Sequence, residues 1–116
     1  MTKLLSYVLI LMVALISTAT ASDPVRGRVV NVMTGDILIV SVDHRAEVVH
    51  LYGVECPERG EAGWLKARNY TEQMVLYKQI VLEPVGAQRA GTIQAKVYVG
   101  ELCINEALAE KILALK

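Results

Sequence analysis

From residue 25 to residue 53 the chain alternates apolar and polar positions with the two-residue period of β-strands. The alternation runs over residues 25–33, continues as a β-branched stretch over residues 37–42, and returns over residues 46–53. Glycine or polar residues separate these stretches, as turns require. The pattern therefore predicts three successive strands joined by short turns.

The second half of the chain changes period twice. Apolar residues recur near helical spacing over residues 64–76, strand-like stretches follow at 79–83 and 93–99, and a second helical pattern covers residues 106–115 with Asn105 as its N-cap. Three strands, a helix, two strands and a closing helix predict an α+β fold, a small five-stranded β-barrel of the OB type with two helices. The predicted core comprises Val30, Val32, Leu38, Val40, Val49, Leu51, Leu82, Val97 and Leu108.

The N-terminus has the features of a secretory signal peptide. Lys3 precedes an apolar run over residues 4–16, and Ala19-Thr20-Ala21 has the small residues of a cleavage site. An uncleaved anchor is the alternative, but the run is shorter than the about 20 apolar residues of a membrane span. We expect residues 1–21 to be removed and residues 22–116 to form one secreted or periplasmic domain that is not held in a membrane.

Charge argues against tight, non-specific binding of nucleic acid. The chain has 12 basic and 12 acidic residues, and removal of Lys3 with the signal leaves 11 against 12, a net charge of −1. Proteins that depend on phosphate neutralisation for affinity are normally basic. A small catalytic contact with a phosphate remains compatible with this balance.

The chain contains two cysteines, Cys56 in the acidic turn over residues 55–58 and Cys103 before the last helix. An exported protein can join such a pair in a disulfide, but the sequence does not fix their distance and Cys103 also suits a small buried apolar position. The pairing is therefore left open. The chain has neither a CxxC pair nor the Cys/His spacing of a zinc site, so zinc is not expected.

Three carboxylates lie at the ends of predicted strands. Asp36 follows the Thr34-Gly35 turn, and Glu55 and Glu58 flank Pro57 just after the third strand. A hairpin that brought them together would offer the oxygen ligands that a hard cation prefers. The alternative is that Glu55 and Glu58 are solvated charges in a proline turn.

Five motifs carry a family resemblance through their order and spacing. They are Thr34-Gly35-Asp36-Ile37, the run from Leu51 to Glu58, Gln88-Arg89-Ala90-Gly91-Thr92, Val97-Tyr98-Val99, and Asn105-Glu106-Ala107-Leu108. Over residues 27–114 the chain resembles a staphylococcal-nuclease-like (thermonuclease) domain. The resemblance implies the staphylococcal-nuclease type of OB barrel and calcium-dependent cleavage of DNA or RNA.

The resemblance also implies roles for individual residues. Asp36, Glu55 and the carbonyl oxygen of Cys56 would hold calcium, although Glu55 replaces an aspartate of the family and so moves its carboxylate. Glu58 would orient or deprotonate the attacking water. Substrate contacts would come from Tyr98 and Lys96, the latter standing where the family has an aromatic residue.

The departures from the family concern catalysis. His50 and Thr92 occupy the positions of two arginines that clamp the phosphate with bidentate hydrogen bonds. Arg89 lies nearby in the sequence and is the candidate to replace them. The alternative is that Arg89 is only a solvated charge in a loop. The third helix of the family is missing, so a protein partner is one candidate to cover that side of the barrel, and tolerance of a marginal fold is the other.

Three functions are compatible with these residues. The first is a degenerate nuclease with weak or lost hydrolysis and residual binding of single-stranded nucleic acid or another ligand. The second is a working calcium-dependent nuclease with an atypical site. The third is an interaction module that uses the barrel as a scaffold.

Overall fold

The structure is a computed structural model that describes residues 24–86 and 91–114. The expected signal peptide and Arg89 lie outside the described residues. The first three strands are β1 (Val25–Thr34), β2 (Ile37–Val42) and β3 (Arg45–Leu51), paired antiparallel in that order. Asp43 and His44 join β2 to β3 with φ angles of 48° and 65°, which is the left-handed conformation that tight two-residue hairpins need.

The remaining elements follow the predicted order, with one short strand added. They are helix α1 (Trp64–Val75), strands β4 (Gln79–Pro84), β5 (Thr92–Val99) and β6 (Leu102–Cys103), and helix α2 (Ile104–Leu113). β4 pairs antiparallel with β1 and β5, and β5 runs parallel to β3. This parallel pairing closes the first five strands into a barrel, so the OB-like five-stranded barrel with two helices is confirmed.

The barrel interior and the two helices form one core, and eight of the nine predicted core residues are buried in it. The prediction that Val30 belongs to the core is wrong, because its side chain is 42% exposed. The β1–β2 pairing shifts register between Val29 and Asn31, which inserts one unpaired residue, as in a β-bulge. Val29 and Val32 therefore both point inward, and the alternation that predicted an inward Val30 is interrupted.

The second helix begins earlier than predicted. Ile104 is its first residue and the extended Cys103 is its N-cap, so Asn105 is not the cap. Asn105 is instead buried inside the first turn, where its side chain bonds to the backbone of other elements. Within the described residues, no helix is both long and apolar enough to cross a membrane.

Candidate functional site

Asp36 lies immediately before β2, in a turn held from three directions. The Thr34 hydroxyl donates a 2.6 Å hydrogen bond to Asp36 Oδ1, and the Leu51 N–H donates a 2.8 Å bond to the Asp36 carbonyl oxygen. From α1, the buried Thr71 hydroxyl donates a 2.7 Å bond to the carbonyl oxygen of Gly35. The turn is therefore fixed to β3 and α1, which gives the Asp36 carboxylate a defined position.

Two clefts meet beside this turn. The first, which we call the helix-side cleft, has a volume of about 530 Å³ and lies between the barrel and α2. Its polar wall is formed by Asp36, His50, Glu55 and Gln94, and Ile112 and Leu113 line it from the helix. The second, the acidic cleft, has a volume of about 550 Å³, and its charged lining is Asp36, Glu55, Glu58, Arg59 and Glu61.

The structure thus brings most of the predicted site residues to one region. Asp36 and Glu55 line both clefts, whereas His50 faces only the helix-side cleft and Glu58 only the acidic cleft. Cys56 lines the acidic cleft next to Glu55. A ligand at the Asp36–Glu55 wall would have Glu58 on one side and His50 on the other.

Glu58 is positioned by a local turn that leads into α1. Its N–H donates a 3.1 Å hydrogen bond to Glu61 Oε1, and the Glu61 N–H donates a 2.9 Å bond back to the Glu58 carbonyl oxygen. The Glu61 carbonyl oxygen then accepts a 3.3 Å bond from the N–H of Trp64, the first residue of α1. Glu61 is therefore a positioning residue for Glu58 that the sequence analysis missed, although its spacing from Glu58 resembles that of a capping box.

The predicted calcium ligands do not form a closed metal cage. Among residues 24–86 and 91–114, no three His, Cys, Asp or Glu side chains are arranged to hold a metal. The predicted ligands include only two carboxylates, Asp36 and Glu55, and Asp36 Oδ1 already accepts a bond from Thr34. Calcium takes six to eight oxygen ligands that include carbonyl groups and water, so these carboxylates and the Cys56 carbonyl oxygen suit an ion that keeps part of its water.

Cys56 does not offer a thiolate to this site. Burial, and secondarily the nearby Asp36 carboxylate, raises the pKa of the Cys56 thiol to about 12. The thiol lies close to Gly35, where an added Cβ atom would be 2.5 Å from Cys56 Sγ and 3.1 Å from Ala67 Cβ. Cys56 and Cys103 are both free thiols, so the structure contains no bond between them.

The two predicted arginine positions share the outward face of adjacent strands. In the parallel β3–β5 pairing His50 is the partner of Gln94, and Val48 is the partner of Thr92. Thr92 and Gln94 are two residues apart, so Thr92 and His50 lie on the same face of the sheet. Neither side chain supplies the paired N–H groups of a guanidinium.

The structure places the predicted substrate-contacting residues elsewhere. Tyr98 lines a third cleft of about 470 Å³ with Glu101 and Cys103, and its hydroxyl donates a 3.3 Å bond to Glu83 Oε2. Partial burial, then Glu83 and Cys103, raise the pKa of the Tyr98 phenol. Lys96 pairs with Glu83 across the β4–β5 ladder and is not among the residues that line the two clefts at Asp36.

Arg59 is a further cleft residue that the sequence analysis missed. It follows Glu58 directly, lines the acidic cleft, and holds its guanidinium carbon 5.8 Å from the centroid of the Trp64 ring. The sequence signal was an arginine beside the predicted general base, five residues before the only tryptophan of the chain.

No protein-family model and no curated protein matches the chain. The likeness to staphylococcal-nuclease-like domains therefore remains a prediction from the sequence motifs. The structure itself establishes a closed barrel that presents Asp36, Glu55, Glu58 and Arg59 at one edge. Such an arrangement can bind a cation through its carboxylates and an anionic group through the arginine.

Proposed function

We propose that the protein is an exported OB-fold barrel of the staphylococcal-nuclease type with a degenerate nuclease site. It retains the carboxylates for calcium and for water activation but lacks both arginines that clamp the phosphate. It therefore binds single-stranded nucleic acid weakly, and its calcium-dependent hydrolysis of phosphodiesters is weak or lost.

The observation that carries this proposal is the shared wall formed by Asp36 and Glu55. Both carboxylates line two adjoining clefts, and Glu58 lines one of these clefts from the same turn as Glu55. A general base must lie within reach of a water molecule beside the bound phosphate. The proximity of Glu58 to the proposed calcium ligands supports that role.

The residues divide the chemistry between them. Asp36, Glu55 and the Cys56 carbonyl oxygen would hold calcium, which supplies Lewis-acid polarisation of a phosphate oxygen when bound. Glu58 would accept the proton of the attacking water, and the bonds between Glu58 and Glu61 keep its backbone in place. Residual stabilisation of negative charge would come from His50, which offers one hydrogen bond at a time to a phosphate oxygen.

The missing arginines account for the expected weakness. Loss of one preorganised donor that stabilises transition-state charge typically costs about 3–4 kcal/mol of activation free energy. Two losses on the same phosphate are not additive, but together they lower the rate by several orders of magnitude. The protein is therefore expected to differ from an efficient nuclease in kcat far more than in calcium binding.

The test is cleavage of single-stranded DNA and RNA by the purified protein, with calcium and with a chelator. We expect slow cleavage that requires calcium and is removed by Glu58→Gln. Glu101→Gln is the matched control, because Glu101 is an exposed carboxylate on the third cleft and its change should leave the rate unaltered. Equal residual cleavage by the Glu58→Gln and unmodified proteins would show that Glu58 is not the base.

The cleavage assay, combined with a measurement of oligonucleotide binding, separates the alternative functions. Fast cleavage by the unmodified protein would identify a working nuclease with an atypical site. Absence of both cleavage and oligonucleotide binding, with calcium present, would contradict the proposal and favour an interaction module built on the barrel.

A further inference from the structure

Arg59 is the only arginine or lysine that lines either cleft at the Asp36–Glu55 wall within the described residues. It shares the acidic cleft with four carboxylates, those of Asp36, Glu55, Glu58 and Glu61. Such surroundings would normally draw an exposed arginine into an ion pair. The contacts of Arg59 show whether its guanidinium is held in such a pair or is free for a ligand.

Arg59 forms no ion pair with these carboxylates. In the described part of the chain the ion pair that an arginine makes is Arg68 with Glu72, at 2.9 Å. Arg59 instead lies over the Trp64 ring at 5.8 Å, within the range of a cation–π contact. A cation–π contact leaves the N–H groups at the edge of the guanidinium plane free to donate, so Arg59 keeps hydrogen-bonding capacity for a ligand.

The support beneath Arg59 is itself well fixed. Trp64 is the first residue of α1, and Arg68, one turn later, contacts the same ring at 6.0 Å. Arg68 is held by a 3.0 Å hydrogen bond from its Nε to the Val32 carbonyl oxygen and by its pair with Glu72. The Trp64 ring therefore contacts both Arg68, which is held by the helix and β1, and Arg59 of the acidic cleft, and it serves as a platform for Arg59.

We infer that Arg59, supported by Trp64, binds a backbone phosphate of single-stranded nucleic acid in the acidic cleft. This inference rests on the proposed function, because the four cleft carboxylates would repel an anion unless a calcium ion offsets part of their charge. Arg59 then supplies a cation next to Glu58, on the cleft that His50 does not line. It is a substrate-binding residue that lies outside the two arginine positions occupied by His50 and Thr92.

The test is the affinity of a fluorescently labelled, single-stranded oligothymidylate, measured by anisotropy in calcium across a series of salt concentrations. A charged hydrogen bond to phosphate predicts about tenfold weaker binding for Arg59→Ala. Loss of one phosphate contact should also reduce the slope of log affinity against log salt by about 0.7. Arg59→Lys, which keeps the charge but loses the planar fork, should retain most of the salt slope and only part of the affinity.

Arg45→Ala is the matched control. Arg45 is an exposed arginine at the start of β3, whereas His50 of the site lies near the end of that strand. The control removes the same net charge, but Arg45 lines neither cleft at the Asp36–Glu55 wall, so both affinity and salt slope should stay close to those of the unmodified protein. An equal loss for Arg45→Ala and Arg59→Ala would show a general charge effect and overturn the inference.

A second readout uses Trp64, the only tryptophan in the chain. Because Arg59 contacts its ring, saturation with unlabelled oligothymidylate should change the tryptophan emission of the unmodified protein, and this change should be lost in Arg59→Ala. Binding that is unaffected by Arg59→Ala would overturn the role of Arg59 and leave the proposed function standing. No binding by the unmodified protein would overturn the inference, and absence of cleavage as well would overturn the proposed function.

Discussion

The side-chain amide of Asn105 donates a 2.8 Å hydrogen bond from Nδ2 to the carbonyl oxygen of Tyr52, 53 positions earlier in the chain. The same nitrogen donates a 3.0 Å bond to the Ala95 carbonyl oxygen, while Oδ1 accepts a 2.8 Å bond from the Val97 N–H. One buried side chain thus joins α2, β5 and the segment that leads from β3 to Glu55. It links the stability of the barrel to the position of the acidic turn.

Asn105→Ala should lower the free energy of unfolding by about 2–4 kcal/mol, because it removes three hydrogen bonds and leaves the Val97 N–H without its acceptor in the interior. Denaturant unfolding followed by circular dichroism measures this change. Asn69→Ala, on the exposed surface of α1, is the control and should change stability by less than about 0.5 kcal/mol. Similar effects of the two substitutions would show that the Asn105 contacts contribute little.

Gly35→Ala should destabilise the turn before Asp36. The added methyl group would lie 2.5 Å from Cys56 Sγ and 3.1 Å from Ala67 Cβ, so the Cys56 side chain or the turn must shift, at a cost of about 1–3 kcal/mol. Cys56→Ala removes the sulfur and should recover part of the loss in a double-mutant cycle, while the 3.1 Å contact with Ala67 keeps recovery incomplete. Strictly additive effects of the two substitutions would rule out this steric coupling.

Cys56 should react slowly with alkylating reagents in the folded protein. Its pKa is raised from about 9 to about 12, so near pH 8 its thiolate fraction is about a thousandfold lower than that of an unfolded cysteine. The measurement is alkylation of the Cys103→Ala variant, in chelator, folded and in denaturant. Equal rates in the two states would contradict the predicted protection.

The raised pKa of the Cys56 thiol also predicts that the folded protein loses stability at alkaline pH. Between about pH 9 and pH 12 the unfolded chain releases the Cys56 proton while the folded protein retains it. The free energy of unfolding should therefore fall as the pH rises through this range. Cys56→Ala should remove that part of the slope.

The hydrophobic pattern was sufficient to predict the barrel, because most inward positions follow an uninterrupted alternation. The bounds of β2, at residues 37–42, match the prediction, and the predicted inward residues of β3, Val49 and Leu51, are buried. Val30 was misplaced because a one-residue bulge in a strand leaves no mark in the hydrophobic pattern. Asn105 was misread since a cap and a buried helical asparagine have the same local sequence, and only distant partners distinguish them.

The candidate site was predictable only in part. Strand ends and one turn bring Asp36 and Glu55 together, so chain order alone was enough to group them. The contact between Arg59 and Trp64 depends on how the chain enters α1, where Gly60 and Gly63 adopt left-handed backbone conformations. The separation of Tyr98 from the Asp36–Glu55 wall likewise follows from three-dimensional barrel geometry rather than from sequence spacing.

The most direct test of the central claim, that the absent arginines limit catalysis, is the rate of calcium-dependent cleavage of single-stranded DNA by the double variant His50→Arg with Thr92→Arg. The rate should rise at least about a hundredfold above the unmodified protein and well above either single variant. Gln73→Arg with Gln79→Arg adds the same charge at exposed positions of α1 and β4 and should give no such gain. Fast cleavage by the unmodified protein that Glu58→Gln abolishes, or no gain from the His50/Thr92 double variant, would contradict the account.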